Sequence, residues 1–305
     1  MDANQNNDSN KKTYHKKATG AALKTVEKHS ADHELKLFGS CFCPFVQRVW
    51  ISLEVKQLGY EYIEVDPYKK PQQLLEVNPR GLVPALRHGD WGCYESTVLM
   101  ESWMRSRLGR HFIKAGLELT WLTVPSPSDL EDLQKGEALL PSDPKLRAHS
   151  RLWSDHVNRS IVPGFYRYLQ AQDEKAQIEN AEELKEQISK LVDAADKSGP
   201  FFLGDKMTFV DVQMAPWVVR LRKVLQPYRG WPEPEAGSRW AKWVDAIEQD
   251  HAVRATTSTD ELYLDSYERY AVLCHSSFGA ANPLCPSVDS CAPGVDRTLA
   301  IRIIQ

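Results

Sequence analysis

The sequence predicts an α/β domain followed by an all-α helical bundle, and three observations carry that expectation. Short apolar and alternating runs, the mark of strands, fall within the first hundred residues. From about residue 140 onward the apolar spacing is helical throughout. Between the first strand and the first helix of the α/β part stands a thiol, in Phe42-Cys43-Pro44-Phe45-Val46-Gln47-Arg48. The 305 residues, 42% of them hydrophobic, are enough for two domains with real cores.

In order along the chain, residues 1–32 are polar, rich in Asn, Lys, Ala and Asp, and are expected to form a disordered tail. Leu35–Gly39 reads as a strand, and residues 44–58, apolar at 45, 49, 50, 53 and 55, as a helix. YEYIEV at 60–65 alternates and is a second strand, parallel to the first through a short crossover. A short helix follows at 71–77. LVPALR at 82–87 and WGCY at 91–94 are strands joined by the turn His88-Gly89-Asp90, and a helix opens at Glu95. Pro84 breaks the third strand, so it belongs at a strand start or edge and is a candidate for a cis bond. This β-α-β-α-β-β-α order, over 33–101, is that of a thioredoxin-like domain.

The helical part, 130–273, begins in earnest with a long helix over 145–171. There Leu146, Leu152, Trp153, Val157, Ile161, Phe165 and Leu169 share one face, and Pro163 should kink it. A polar-faced helix is expected over 181–197. Thr208 and Asp211 are placed as a capping box, opening a helix so apolar (VQMAPWVV) that it belongs at the centre. Helices over 238–251 and 260–273 complete the bundle, and 274–305 reads as a disordered tail.

Cys43 carries the chemistry. Pro44 suits the first helical position because its missing N–H would be unpaired there. The free N–H groups and positive end of the helix then face the sulfur, which is expected to lower the thiol from about 8.5 toward neutrality. A disulfide oxidoreductase of the Cys-x-x-Cys kind would carry a second thiol at Val46, so this is a one-thiol site whose mixed disulfide an outside thiol must resolve. Cys41, two residues earlier in the strand–helix turn, is expected to take no part in the chemistry.

Other classes are disfavoured. A net charge of −3 leaves no electrostatic footprint for nucleic acid. No run of 18 apolar residues predicts a membrane span. The six cysteines have neither metal-ligand nor disulfide-framework spacing, so no metal is expected and a cytoplasmic, reducing setting is.

The residues resemble the cytosolic glutathione transferase superfamily, and within it the omega class. Cys-Pro-Phe-x-Gln-Arg at 43–48 is similar to that class's active-site motif. In the same order follow Lys70-Pro71, Asn78-Pro79-Arg80-Gly81-Leu82-Val83-Pro84, Tyr94-Glu95-Ser96, Leu139-Leu140-Pro141 before Asp143-Pro144, and Phe202-Leu203-Gly204-Asp205 with Thr208 and Asp211. The resemblance implies a glutathione transferase fold with glutathione as cosubstrate. The cysteinyl backbone of glutathione would pair with Val83 like an added strand, flanked by Leu82 and Pro84. Ser96, at a helix N-terminus, would take the γ-glutamyl carboxylate, Glu95 the amine, Lys70 the glycyl carboxylate, and Phe45 would wall the thiol side.

With a Cys where relatives carry Tyr or Ser, the implied activity is thiol transfer, the reductive removal of glutathione from small or protein-bound adducts, ahead of plain conjugation to electrophiles. The acceptor is expected near Trp153, His156, Phe165, Tyr166 and Trp217, and a homodimer is a possible assembly. The alternative is a non-enzymatic regulator or a relative of the intracellular chloride channels, although residues 49–58 are too short and too charged to span a membrane. One departure from the family pattern stands out. The helix begun at Glu95-Ser96 is interrupted by residues 102–129, an insertion whose leading explanation is an unspliced intron read in frame, since its removal would splice the expected helix together.

Overall fold

The computed structural model describes residues 15–104 and 138–272, with the side chains of 102–104 excluded. The expectations for 1–14, most of 102–129 and the tail beyond 272 lie outside the described residues.

The α/β domain is built on a four-stranded sheet of order β2-β1-β3-β4: β1 (Leu35–Gly39), β2 (Glu61–Glu64), β3 (Ala85–His88) and β4 (Trp91–Tyr94). β1 and β2 pair in parallel, Leu37 opposite Tyr62, as the short crossover requires. β3 pairs antiparallel with β1 and with β4. Pro84 stands just before β3, with a cis Val83-Pro84 bond, and so removes no ladder hydrogen bond. The helices are α2 (Pro44–Val55), α3 (Gln72–Val77) and α4 (Ser96–Met104). α2 is buried nearly all round, because one face covers the sheet and the other meets the helical domain.

One correction concerns the N-terminal end of this domain. The supposed tail contains a helix, α1 (Gly20–Lys28), with Ala22 and Thr25 buried. Thr25 Oγ1 donates to Ala255 O at 2.6 Å, and Ala18 N donates to Glu64 Oε1 at 2.5 Å, which ties the segment to both domains. A few small apolar residues suffice for such a helix when it rests on preformed neighbours, and composition alone does not reveal that.

The helical domain comprises α5 (Pro144–His156), α6 (Val162–Gln170), α7 (Glu174–Ala194), α8 (Phe209–Arg220), α9 (Gln226–Arg229), α10 (Arg239–Gln249), α11 (His251–Ala255) and α12 (Asp260–Ala271). The expected long helix is α5 and α6 joined by a π-turn over Val157–Ile161. Val162 N reaches back five residues to Val157 O, immediately before Pro163, which has no N–H to give. The extra residue in the turn absorbs the proline that would otherwise break the helix. A second π-turn, Leu221–Leu225, ends in the same way at Gln226-Pro227.

Every residue of α8 is buried. Its N-terminus is held by Asp211, whose carboxylate accepts from Thr208 N (2.7 Å), Thr208 Oγ1 (2.7 Å), Phe202 N (2.8 Å) and Trp243 Nε1 (2.7 Å). Burial pushes this carboxyl up to about 6, and the four donors oppose that rise, leaving it ionised at neutral pH. No helix among the described residues is long and apolar enough to cross a membrane.

Candidate active site

Cys43 is the N-cap of α2 and Pro44 the first helical residue. Cys43 N donates to Ser40 O at 3.0 Å, which fixes the strand-to-helix turn. Cys43 Sγ lies 3.9 Å from Val83 O, whereas Cys41 Sγ faces His15 O at 3.5 Å, so in this turn the two thiols face different partners.

The electrostatics differ from the sequence expectation. Cys43 is only 7% exposed, and burial pushes its thiol above the ordinary value. The backbone N–H groups of Val46 and Phe45, then Arg220 and Arg48, pull in the other direction without overcoming burial. The helix N-terminus acts with the predicted sign. What the sequence could not convey is how completely the helical domain closes over the sulfur. Cys41, also buried, is pushed up to about 12.

Beside the thiol loop opens a cavity of about 180 Å³ lined by Phe45, Arg48, Pro84, Glu95, Ser96, Thr97, Asn158 and Val162. The structure thus brings Phe45, Pro84, Glu95 and Ser96 together, and Val83, the residue before Pro84, faces the sulfur. Glu95 adopts φ +76°, a left-handed backbone that is costly for a side chain larger than glycine and is concentrated at functional turns. It sits directly before α4, its carbonyl accepting from Leu99 N. Its carboxylate, 49% exposed, is 3.3 Å from Arg80 Nη1. Ser96 is buried in the first turn of α4. Leu82 O is held by Asn78 Nδ2 at 3.0 Å, which shapes the approach to Val83. Lys70 is exposed and outside the cavity lining, close over Gly81.

The acceptor residues divide. Trp217 is fully buried against Phe45 (ring centroids 5.3 Å) and under the Arg48 guanidinium (4.3 Å), and Tyr166 is buried with its hydroxyl unpartnered. Trp153, His156 and Phe165 are corrections. Trp153 stacks edge-on with His156, whose Nε2 is bound to Gln187 O of α7 at 2.9 Å. Phe165 is wholly in the core. Asn158, within the π-turn, and Val162, just after it, line the cavity instead.

The sequence reading also missed Arg48 and Arg220. Arg48, 1% exposed, donates through Nε to Gln213 O (3.0 Å) and through Nη1 to Asn158 Oδ1 (2.7 Å), while Nη2 has no partner. Burial pushes its guanidinium down to about 9. Arg220 donates to Phe42 O (2.8 Å), Gln47 Oε1 (2.7 Å), Pro216 O (2.8 Å) and Tyr267 Oη (2.7 Å). Both lie on helices that read as apolar. The available signal was a charged residue within an otherwise apolar stretch.

Comparison with known proteins gives the same picture. Residues 37–103 match the family "Glutathione S-transferase, N-terminal domain" and residues 173–246 the family "Glutathione S-transferase, C-terminal domain". The crystal structure of glutathione transferase Omega 3C from Trametes versicolor superposes with TM-score 0.70 at 39% identity, covering 83% of this chain and 97% of that one. Glutathione S-transferase U17 of Arabidopsis thaliana is 27% identical over 73% of this chain and 90% of its own length. Glutathione S-transferase omega-1 of Rattus norvegicus is 26% identical over 67% of this chain and 76% of its own.

Proposed function

The chain belongs to the glutathione S-transferase family, and from that premise we propose that it is an omega-like thiol transferase that removes glutathione from mixed disulfides by way of Cys43. The observation that carries the proposal is the position of Cys43 as N-cap of α2, 3.9 Å from Val83 O, with Phe45 two residues on lining the cavity that Glu95 and Ser96 also line. A hydroxyl or phenol at that point would hydrogen-bond the thiolate of glutathione and favour conjugation. A sulfur there forms a disulfide with glutathione instead.

The reaction is a pair of thiol–disulfide exchanges. The Cys43 thiolate attacks the glutathione sulfur of the adduct. The S–S bond of the adduct breaks, and its electron pair leaves on the acceptor sulfur, which takes up a proton. The thiolate of a second glutathione then attacks the glutathione sulfur bound to Cys43, and glutathione disulfide departs as the Cys43 thiolate is restored. Within the same reading, Val83 pairs with the cysteinyl backbone of glutathione, Ser96 holds the γ-glutamyl carboxylate, Glu95 the amine and Lys70 the glycyl carboxylate. Phe45 walls the thiol side, with Trp217 packed behind it and Tyr166 near the acceptor. The acceptor is a small or protein-bound glutathionylated or electrophilic compound. The proposal includes a homodimer and a cytosolic setting, where the free thiols Cys41, Cys43 and Cys93 stay reduced.

The test is reduction of hydroxyethyl disulfide by glutathione. We expect catalysis that disappears with Cys43→Ser. Conjugation of an electrophile with no disulfide turnover would overturn the reading.

A further inference from the structure

Two guanidiniums are buried around the thiol loop, and all of their hydrogen-bond partners among the described residues are neutral. Those of Arg48 are Gln213 O and Asn158 Oδ1. Those of Arg220 are Phe42 O, Gln47 Oε1, Pro216 O and Tyr267 Oη. Each is also stacked on a ring, Arg48 on Trp217 at 4.3 Å and Arg220 on Tyr263 at 4.8 Å. A buried cation without an anion beside it is unfavourable, because desolvation is not repaid by attraction. Two such cations on opposite elements, α2 and α8, call for an anion between them.

The groups that could become that anion can be named element by element. The loop before α2 offers Cys41 and Cys43, β2 offers Tyr62, α6 offers Tyr166, and α12 offers Tyr263, Tyr267 and Tyr270. Among the described residues, Arg269 of α12 also lies over the Phe42 ring but is exposed, so water screens it. Tyr267 is pushed up to about 12, and Tyr62 and Tyr166 are held well above the ordinary phenol value by burial. Cys41 points away toward His15. Cys43 follows Phe42, whose carbonyl Arg220 holds, and opens the helix whose Gln47 Arg220 also binds.

We propose that Arg220, with Arg48 as its counterpart on α2, supplies the positive charge that stabilises the Cys43 thiolate, so that docking of the helical domain sets the reactivity of the thiol in the α/β domain. The inference rests on the reading of Cys43 as nucleophile. Arg220 is a positioning residue here. It binds the carbonyl of Phe42, the residue before the thiol, and Gln47 one turn into α2, and through Tyr267 it connects both to α12. Gln47 Nε2 in turn donates to Thr256 O at 3.2 Å, so the residues that hold the thiol loop also join the two domains.

The experiment is the rate of iodoacetamide alkylation of Cys43, followed by peptide mass spectrometry on the full chain across pH, with melting temperature as the check on folding. Arg220→Gln is expected to raise the pH midpoint by about one unit, which slows alkylation about tenfold at any pH below it. Arg220→Lys keeps the charge and is expected to recover most of that shift. A folded Arg220→Gln protein with an unmoved midpoint overturns the proposal, as does an Arg220→Lys midpoint equal to that of Gln, which would make the effect steric. Should Arg220→Gln fail to fold, Arg48→Gln decides, with a smaller upward shift expected and an unmoved midpoint contradicting it. Disulfide turnover is measured separately: its absence alongside the expected shifts would fail the proposed activity and leave this inference standing.

Discussion

Cys43 Sγ faces the carbonyl of Val83 across 3.9 Å. The residue whose backbone is proposed to pair with glutathione is therefore also the residue the thiol touches when glutathione is absent. A glutathione docked on Val83 as an added strand would bring its own sulfur to the same place, which is the geometry an exchange of disulfides needs.

Cys43→Ser is expected to abolish thiol transfer while leaving the melting temperature within a few degrees of the parent. A hydroxyl fills the N-cap at least as well as a thiol, since serine is among the preferred residues there. Cys41→Ser should change the turnover far less, because its sulfur faces His15. Turnover in hydroxyethyl disulfide decides both.

The direction of the Cys43 shift gives a pH dependence. Burial raises the thiol above its ordinary value, so the thiolate fraction of the ligand-free protein is small at neutral pH and grows as pH rises. Alkylation by iodoacetamide should therefore keep accelerating to pH 9 and beyond. A plateau reached below pH 8 would mean that the helix N-terminus and the two arginines outweigh burial.

Ser96→Ala is expected to weaken glutathione binding by about 1.5–3 kcal/mol, the worth of a hydrogen bond to a charged group, or roughly tenfold or more in Kd. Lys70→Ala, at an exposed side chain, should cost less, and its effect should fade with added salt. Calorimetric titration with glutathione checks both. Unchanged affinity for Ser96→Ala would remove the γ-glutamyl assignment.

Asp211→Asn is expected to destabilise the protein by on the order of 3 kcal/mol. An amide turns an N–H₂ toward donors that all point at the carboxylate: Thr208 N and Oγ1, Phe202 N and Trp243 Nε1. Urea denaturation measures the loss.

Deleting residues 102–129 is expected to raise soluble yield and melting temperature. It joins Glu101, paired with Arg151 at 2.9 Å, directly to Leu130 and lets α4 continue. The deletion also removes Trp103, Phe112 and Trp121, large apolar side chains of the kind that favour association when exposed. A full chain more stable than the shortened one would make the segment a genuine part of the fold.

Much of this was legible from residue order. Strand, thiol, proline and helix occur in the sequence as they do in space, and the capping pair Thr208 and Asp211 was readable because caps are local. The misplaced features depend on distant partners. α1 forms because it rests on Ala255, beyond the reach of any local pattern. Trp153 and His156 were expected at the cleft as an aromatic and a polar residue of the long helix, and their contacts, with each other and with Gln187 O, depend on the packing of α7. Arg48 and Arg220 gain their meaning only when α2 and α8 pack together, and the burial of Cys43 that follows from that packing reversed the expected direction of its shift.

The central claim is that Cys43 itself carries glutathione during turnover. The most direct measurement is peptide mass spectrometry of the full chain quenched with acid after mixing with glutathione disulfide. The account predicts one glutathionyl group on the Cys43 peptide, removed by added glutathione and missing from Cys43→Ser. Glutathione found on Cys41 or Cys93 instead, or an unmodified Cys43 in a protein that still turns over disulfide, would contradict it.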